Sequence, residues 1–209
     1  MLRQAQHDKG LDPVRITPNS LPSGTVALAK ALIGLVFVRE SPQGRTAGKI
    51  VEVEAYLSKN DPASHAHRGE TKRNASMFLA PFHAYVYKIY GTSFCVNVSS
   101  NEAGVGEAIL IRALEPLDGL PLMMQRRGTQ AIRDLCCGPG RLCQALAIES
   151  TLDGVDLLKS PELWIAGGAL KSAAVRKSRR IGITKAAERH LRFYEVGSPY
   201  LSGPRHLSP

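Results

Sequence analysis

Apolar and polar residues alternate strictly from Val51 to Tyr56, where the sequence reads VEVEAY. Side chains alternate between the two faces of a β-strand, so the pattern predicts a strand with Glu52, Glu54 and Tyr56 on one exposed face. Neighbours on one face lie about 6.6 to 6.8 Å apart, close enough to act on one small ligand. The same alternation is normal for a half-solvated strand, and spacing alone favours that plainer interpretation.

A second alternating region, residues 84–98, predicts a β-hairpin. Two runs rich in aromatic and β-branched residues are separated by a Gly-Thr pair, and a two-residue link of this kind is typical of a hairpin turn. Tyr85 and Tyr87 share one face, whereas Tyr90 has the opposite parity and adjoins the turn. We therefore expect Tyr85 in the core, Tyr87 in a pocket wall and Tyr90 protruding at the tip.

Helical patterns are confined to three short segments. Ser23 is the candidate N-cap of the first, which ends at Gly34. The other two cover residues 117–127 and 141–147, and each has a glycine close to one end. Because the remaining pattern consists of many short strands, the chain is predicted to be α+β rather than a repeat of βαβ units.

The length predicts a single domain. A chain of 209 residues can bury one good-sized core. We expect this domain to occupy residues 21–202, after a polar and flexible tail at residues 1–20 and before a short tail at residues 203–209.

Alternation returns at residues 107–114, which predicts a strand with Leu110, Arg112 and Leu114 on one face. An arginine among apolar neighbours needs an anionic partner, because burying an unpaired charge is costly. The pattern therefore predicts an anion opposite Arg112.

Charge points to a polyanionic partner. The net charge is +9 and the pI is near 9.6, and clustered Lys and Arg gain affinity for phosphates by releasing counterions. Arg68, Lys72 and Arg73 are candidate phosphate contacts, with solvated surface charges as the alternative, and the basic run at residues 171–192 has the same two interpretations. Four of the six tyrosines lie within residues 56–90, where aromatic faces suit either base stacking or a hydrophobic patch in the hairpin core.

Cysteine usage indicates a reducing, intracellular compartment, either cytoplasm and nucleoid or nucleus, because neither a bilayer-spanning run nor a secretory signal accompanies the four cysteines. Cys136, Cys137 and Cys143 lack paired CxxC spacing, and His65 and His67 lack a third ligand at a fitting offset. We therefore expect structural thiols, no metal and no cofactor.

Eight motifs in order resemble the alkyladenine (3-methylpurine) DNA glycosylase family, over most of residues 21–202. They are VEVEAY at 51–56, SHAHRG at 64–69, KRNASMF at 72–78, YVYKIYG at 85–91, FCVN at 94–97, LIRALEPLDG at 110–119, GPGRLCQALAI at 138–148 and LRFYEVGSPYLS at 191–202. The resemblance implies a compact α+β domain with a curved antiparallel sheet, surrounding helices and a protruding β-hairpin. It implies no membrane association and a monomer acting on double-stranded DNA that contains damaged purines.

The activity implied by the resemblance is monofunctional base excision. Such an enzyme flips an alkylated or deaminated purine (3-methyladenine, 7-methylguanine, hypoxanthine or ethenoadenine) and hydrolyses its N-glycosidic bond, which leaves an abasic site. Glu54 matches the catalytic base, and Arg112 matches the residue that helps to hold the attacking water. Because no lysine stands in the place of Glu54, neither a Schiff base nor strand cleavage is expected.

The resemblance also assigns the positions that contact DNA. The flipped base would be surrounded by Tyr56, His65, Tyr87, Asn97, which screens out normal guanine, and the backbone carbonyl of Ile181. Tyr90 matches the wedge that fills the vacated stack. The chain departs from the family pattern at His67, at Lys72 and at Phe82, which follows Pro81 where a Pro-Gly pair is frequent.

Two rival functions follow from the residues themselves. A carbohydrate glycosidase could use Glu52 and Glu54 as its carboxylate pair, at the lower edge of the separation that inverting enzymes need. A non-catalytic nucleic-acid-binding module would keep the basic and aromatic residues but would have no need of Glu54 or Arg112.

Overall fold

The computed structural model describes residues 13–89, 91–167 and 174–204. Tyr90, the predicted wedge, lies outside these ranges, as do most of the predicted N-terminal tail and part of the basic run at residues 171–192. No helix in the described ranges is long and apolar enough to cross a bilayer.

Every strand pairing in the described residues is antiparallel. The strands are β1 (Val14–Arg15), β2 (Val36–Ser41), β3 (Gly44–Tyr56), β4 (Ala84–Ile89), β5 (Ser93–Ser99), β6 (Ala108–Asp118), β7 (Leu163–Gly167), β8 (Val175–Ser178) and β9 (Arg192–Glu195). The sheet order is β1-β7-β2-β3-β6-β5-β4, and β9 pairs with both β3 and β8.

The long central strand β3 is shared between different neighbours. β6 pairs along one edge, while the other edge pairs first with β2, over Gly44 to Lys49, and then with β9, over Glu52 to Glu54. The register between β3 and β6 shifts on both sides of Glu52, as happens at β-bulges. β9 thus pairs with the stretch of β3 that carries the two glutamates.

The register shift corrects one sequence prediction. Leu110 and Arg112 face a common cavity, as expected, but Leu114 packs with Ile109 and Ile111 in the main hydrophobic core. A strict two-residue period cannot continue through an irregular register, because a shift by one residue moves the following side chains to the other face.

The helices that the structure describes pack against β3, β5 and β6. They are α1 (Thr25–Leu32), α2 (Leu120–Arg127) and α3 (Pro139–Leu146), and short 3-10 helices occur at His65–Arg68 and Ala75–Phe78, among others. Two predicted boundaries were wrong. α1 is capped by Gly24, with no side-chain cap from Ser23, and α2 begins only after β6 has run to Asp118.

The prediction of a hairpin is confirmed, although its register is not the one that a two-residue Gly-Thr link would give. β4 and β5 pair with Tyr85 opposite Asn97, Tyr87 opposite Cys95 and Ile89 opposite Ser93. The open antiparallel sheet with helices packed on it also confirms the predicted single α+β domain.

Phe82, one of the departures from the family pattern, has a left-handed backbone with φ of 70°. Its ring is buried in the main core, and its backbone pairs with Ser99 and Leu157. A non-glycine residue in this conformation carries a cost of about 1–2 kcal/mol, whereas burial of a phenylalanine side chain stabilises by about 1.5–3 kcal/mol. The buried ring therefore offsets the backbone strain.

Substitution of Phe82 separates these two effects. Phe82→Ala loses the ring but keeps the left-handed strain, so it should lower the free energy of unfolding by about 3–5 kcal/mol. Phe82→Gly loses the same ring but relieves the strain, so it should be more stable than Phe82→Ala by about 1 kcal/mol. Urea denaturation midpoints measure the order, and an alanine variant at least as stable as the glycine variant would show that the φ angle is not strained.

Candidate active site

A cavity of about 420 Å³ opens between the hairpin and the ends of β3 and β6. The residues proposed from the sequence to surround a flipped base contribute to its wall, together with Arg112. The lining includes Tyr56, His65, Tyr85, Tyr87, Cys95, Asn97, Leu110, Arg112, Ile181 and Gly182. The fold thus brings residues that lie 125 positions apart in the sequence, such as Tyr56 and Ile181, to one site.

Glu54 lies directly behind this wall, and its side chain is fully buried. Tyr56 Oη donates to Glu54 Oε2 at 2.8 Å, and Arg112 Nη1 lies 3.3 Å from the same oxygen. The backbone N–H of Ile181 donates to Oε1 at 2.6 Å. Tyr56, Arg112 and Ile181 all line the cavity, so each contact of the carboxylate is with a wall residue.

Burial of Glu54 corrects the prediction of an exposed strand face. Glu52 and Glu54 are both inaccessible to solvent, because donors from Arg192, Ser202 and the Ile181 backbone lie against their carboxylates. The predicted anionic partner of Arg112 is confirmed, since both carboxylates contact its guanidinium.

Electrostatics fix the protonation states around Glu54. Burial and the adjacent charge of Glu54 raise the pKa of Tyr56 well above its usual range, so the phenol remains a hydrogen-bond donor. Burial disfavours the charge of Arg112, but the negative charges of Glu54 and Glu52 outweigh it and raise its pKa. The carboxylate therefore faces one neutral donor and one permanent cation.

The opposite wall is aromatic. The His65 ring lies 4.7 Å from the Tyr87 ring in an edge-to-face arrangement, and Tyr85 and Tyr87 are 5.1 Å apart. His65 Nδ1 pairs with Tyr85 Oη at 2.8 Å. Partial desolvation, together with the positive charge of Arg73, lowers the pKa of His65 below its ordinary value, which favours the neutral imidazole at neutral pH. Tyr85 is buried as expected, and it also orients His65.

Asn97 forms part of the cavity floor and is nearly inaccessible. Its Nδ2 donates to the backbone carbonyl of Tyr85 at 2.9 Å, which ties its side chain to β4. This bond leaves the Oδ1 atom as the unassigned acceptor of the amide, because an amide group carries both donors and an acceptor.

The candidate phosphate contacts Arg68, Lys72 and Arg73 are exposed. Arg73 lines the main cavity and donates to the backbone carbonyl of Lys88 at 3.3 Å. Arg68 and Arg73 also line a neighbouring depression of about 380 Å³ with Lys185. Lys72 lines neither of these two depressions.

Glu52, which has no role assigned from the sequence, is the acceptor of a buried network. Arg112 Nε and Arg192 Nε lie 3.1 and 2.6 Å from its Oε1. Ser202 contributes two donors, the hydroxyl to Oε1 at 2.8 Å and the N–H to Oε2 at 2.6 Å. With four donors on it, Glu52 is not available as the second carboxylate of a carbohydrate glycosidase.

A second buried ion pair was also missed from the sequence. Arg180 donates to Asp61 through both terminal nitrogens at 2.7 and 2.6 Å, and neither side chain is exposed. The guanidinium carbon lies 4.6 Å from the ring centre of Tyr56, within the range of a cation–π contact. Arg180 belongs to a basic run that resembles a solvated face, so only its adjacency to Ile181 pointed to the site.

The cysteines occupy apolar surroundings. Cys136 and Cys143 are buried in the main core, and Cys137 Sγ donates to the carbonyl of Leu201 at 3.2 Å. Burial raises the pKa of each of these thiols, which keeps them unreactive. In the ranges that the structure describes, no group of three His, Cys, Asp or Glu side chains could hold a metal ion.

Comparison with known proteins agrees with the geometry. The family model for methylpurine-DNA glycosylase matches residues 20–199. The chain is 51% identical over 199 residues to a Mesorhizobium japonicum protein named "Putative 3-methyladenine DNA glycosylase", covering 95% of each chain. It is 45% identical over 193 residues to the human DNA-3-methyladenine glycosylase, covering 85% of this chain and 64% of the human one.

Proposed function

The chain belongs to the methylpurine-DNA glycosylase family, and from this premise we propose that it excises alkylated or deaminated purines from double-stranded DNA with a water activated by Glu54. The observation that carries the proposal is the environment of Glu54. It is a fully buried carboxylate whose contacts, Tyr56, Arg112 and Ile181, are themselves wall residues of the cavity.

The carboxylate retains capacity for a water molecule. A carboxylate offers about four lone-pair sites, and the described contacts use two at Oε2 and one at Oε1. In our proposal the water binds the remaining site of Oε1, next to the carbonyl of Ile181, which is 3.4 Å from Arg112 Nη1. Glu54 accepts a proton from this water while the water oxygen forms a bond to the anomeric carbon. The glycosidic bond breaks, and its electron pair leaves with the base.

The cavity suits a single purine. Its volume of about 420 Å³ lies within the range of small-molecule sites. Tyr56 would stack on one face of the base, with His65 and Tyr87 on the other, and such stacking contributes about 1–3 kcal/mol per base. We assign Asn97 to the rejection of normal guanine, because its amide is fixed by Tyr85 and cannot swing away from an additional exocyclic group.

Leaving-group chemistry sets the substrate class. A cationic alkylpurine departs without further protonation, so the uncharged hydrogen-bond donors of the cavity wall are sufficient for its departure. Flipping costs a few kcal/mol, and it costs least where a lesion weakens pairing. Both effects favour damaged purines over normal ones in the same cavity.

The protein would bind DNA as a monomer through exposed basic side chains. Arg68, Lys72 and Arg73 are proposed to contact phosphates, which makes affinity fall with rising salt. Tyr90 is proposed to fill the gap left by the flipped nucleotide, a role that matches its place in the hairpin turn of the sequence.

A panel of lesions tests the proposal. Duplex oligonucleotides carrying hypoxanthine, ethenoadenine or 3-methyladenine should release the damaged base and acquire an alkali-labile abasic site, whereas an undamaged duplex should not. Activity should persist in EDTA, because the proposed step uses only side chains. Absence of release from every lesion would refute the proposed activity, and loss of release in EDTA would refute the metal-free mechanism.

A further inference from the structure

A segment late in the chain, residues 201–203, contacts the groups proposed to hold the attacking water. Ser202 is almost fully buried, and its hydroxyl donates to Glu52 Oε1 and accepts from Arg112 Nε at 3.1 Å. The hydroxyl therefore bridges the Glu52 carboxylate and the Arg112 guanidinium. It reaches the catalytic machinery without lining the main cavity.

Fixing one nitrogen of a guanidinium fixes the others, because the group is planar and rigid. Arg112 Nε is held between Glu52 Oε1 and Ser202 Oγ at 3.1 Å from each. Its Nη1 is thereby directed to Glu54 Oε2 at 3.3 Å and to the carbonyl of Ile181 at 3.4 Å. The position of Ser202 consequently sets the direction of the Arg112 donor.

Gly203 lies close to the side chain of Ile181. Its φ is 76°, and a Cβ added there would lie 2.8 Å from Ile181 Cδ1. Nearby anchors hold the segment in place, since Cys137 Sγ donates to the carbonyl of Leu201 at 3.2 Å and Arg133 Nε donates to that of Pro199 at 2.7 Å.

Because the same segment bonds to Arg112 and lies against the Ile181 side chain, we propose that residues 201–203 are a positioning element of the active site, in which Ser202 orients Arg112 for the chemical step. The inference rests on the proposed function. The family model matches up to residue 199, and the motif at residues 191–202 extends the resemblance to Ser202. Ser202 acts through Arg112 and contacts neither the base nor the proposed water.

The first test compares Ser202→Ala with Ser99→Ala, in single-turnover base release at saturating enzyme. Ser202→Ala should slow release about tenfold, the effect of one lost hydrogen bond to a charged group, with lesion-DNA affinity unchanged within about twofold. Ser99 is also buried and bonds through its hydroxyl to Ala80, so Ser99→Ala controls for loss of a buried hydroxyl and should release base at the wild-type rate. Equal rates for both variants, or rate losses that follow their losses in Tm, would overturn the proposal.

A double-mutant cycle isolates the action through Arg112. In an Arg112→Gln background, Ser202→Ala should have less than about a twofold further effect, because its target is already gone. Independent, multiplicative effects would overturn the proposal. If the wild type releases no base, the proposed function fails instead.

A glycine pair provides a test that does not depend on the fold of the serine variant. Gly197 and Gly203 have the same φ of 76°, but a Cβ at Gly197 meets nothing within 4 Å. Both alanine variants therefore carry similar backbone strain, and only Gly203→Ala requires the Ile181 side chain, which lines the cavity, to move. We expect slower base release at unchanged DNA affinity for Gly203→Ala alone, and equal rates for the two variants would contradict the role of the segment.

Discussion

Replacing Glu54 by glutamine is expected to slow base release by about 10²- to 10⁴-fold, the usual contribution of a general base, while lesion-DNA affinity stays nearly unchanged. Glutamine has the same shape and preserves the cavity wall, but it cannot accept a proton from water. Its amide nitrogen also opposes one of the donors Tyr56, Arg112 and Ile181, so a modest loss in Tm should accompany the loss of rate.

The measurement is single-turnover release of hypoxanthine or 3-methyladenine, with affinity measured on the same duplex. Glu107→Gln is the matched control, because Glu107 also accepts bonds from buried or half-buried partners, Thr25 and Ser58, and lies outside the cavity wall. Glu107→Gln should lose stability without losing chemistry. Activity of Glu54→Gln at the wild-type level would exclude the proposed mechanism.

Asp61→Asn should lower the free energy of unfolding by about 3–5 kcal/mol at neutral pH, because it leaves the fully buried Arg180 without a countercharge. The surface pair of Asp134 and Arg141, in which both side chains are at least half exposed, provides the control. Asp134→Asn should cost at most about 1 kcal/mol. Comparable losses in the two variants would show that the buried pair has no special weight.

The same carboxylate predicts a dependence of stability on pH. Burial alone would raise the pKa of Asp61, but hydrogen bonds from Arg180 and Leu57 outweigh it and lower the pKa below the ordinary 3.8. A depressed folded-state pKa stabilises above the unfolded value and loses that contribution as the pH falls through the folded value. The wild type should therefore lose its advantage over Asp61→Asn below about pH 4, and urea midpoints at pH 7 and pH 3 would measure the convergence.

Local patterns predicted those parts of the site that lie close together in sequence. The register of the hairpin was not predictable, since a two-residue link would place Ile89 opposite Phe94, whereas Ile89 lies opposite Ser93. The hairpin itself was predictable, because strict alternation on both sides of a Gly-Thr pair favours two paired strands. The shared face of Glu54 and Tyr56 was predictable for the same reason, and their hydrogen bond confirms it. The anionic partner of Arg112 was predictable because its neighbours in the sequence are apolar.

The features that were missed depend on distant parts of the chain. Nothing near Glu52 indicates that its face is covered by Arg192 and Ser202, so the strand looked solvated. Arg180 resembled its exposed basic neighbours until the fold brought it to Asp61. Leu114 was misplaced because a bulge depends on the pairing of two strands and leaves no mark in the sequence of one.

The contacts that late segments make with the glutamates of β3 also determine when the site can form during synthesis and folding. The donors that reach Glu54 and Glu52 from the later part of the chain come from Ile181, Arg192 and Ser202, which are 127, 140 and 150 residues away from the glutamate that each contacts. During synthesis, β3 and the hairpin emerge long before these donors, so the growing chain carries its two carboxylates uncovered. Contacts between residues this far apart in the chain slow folding, and Glu54 acquires the donor from Ile181 only when the segment between β8 and β9 has docked.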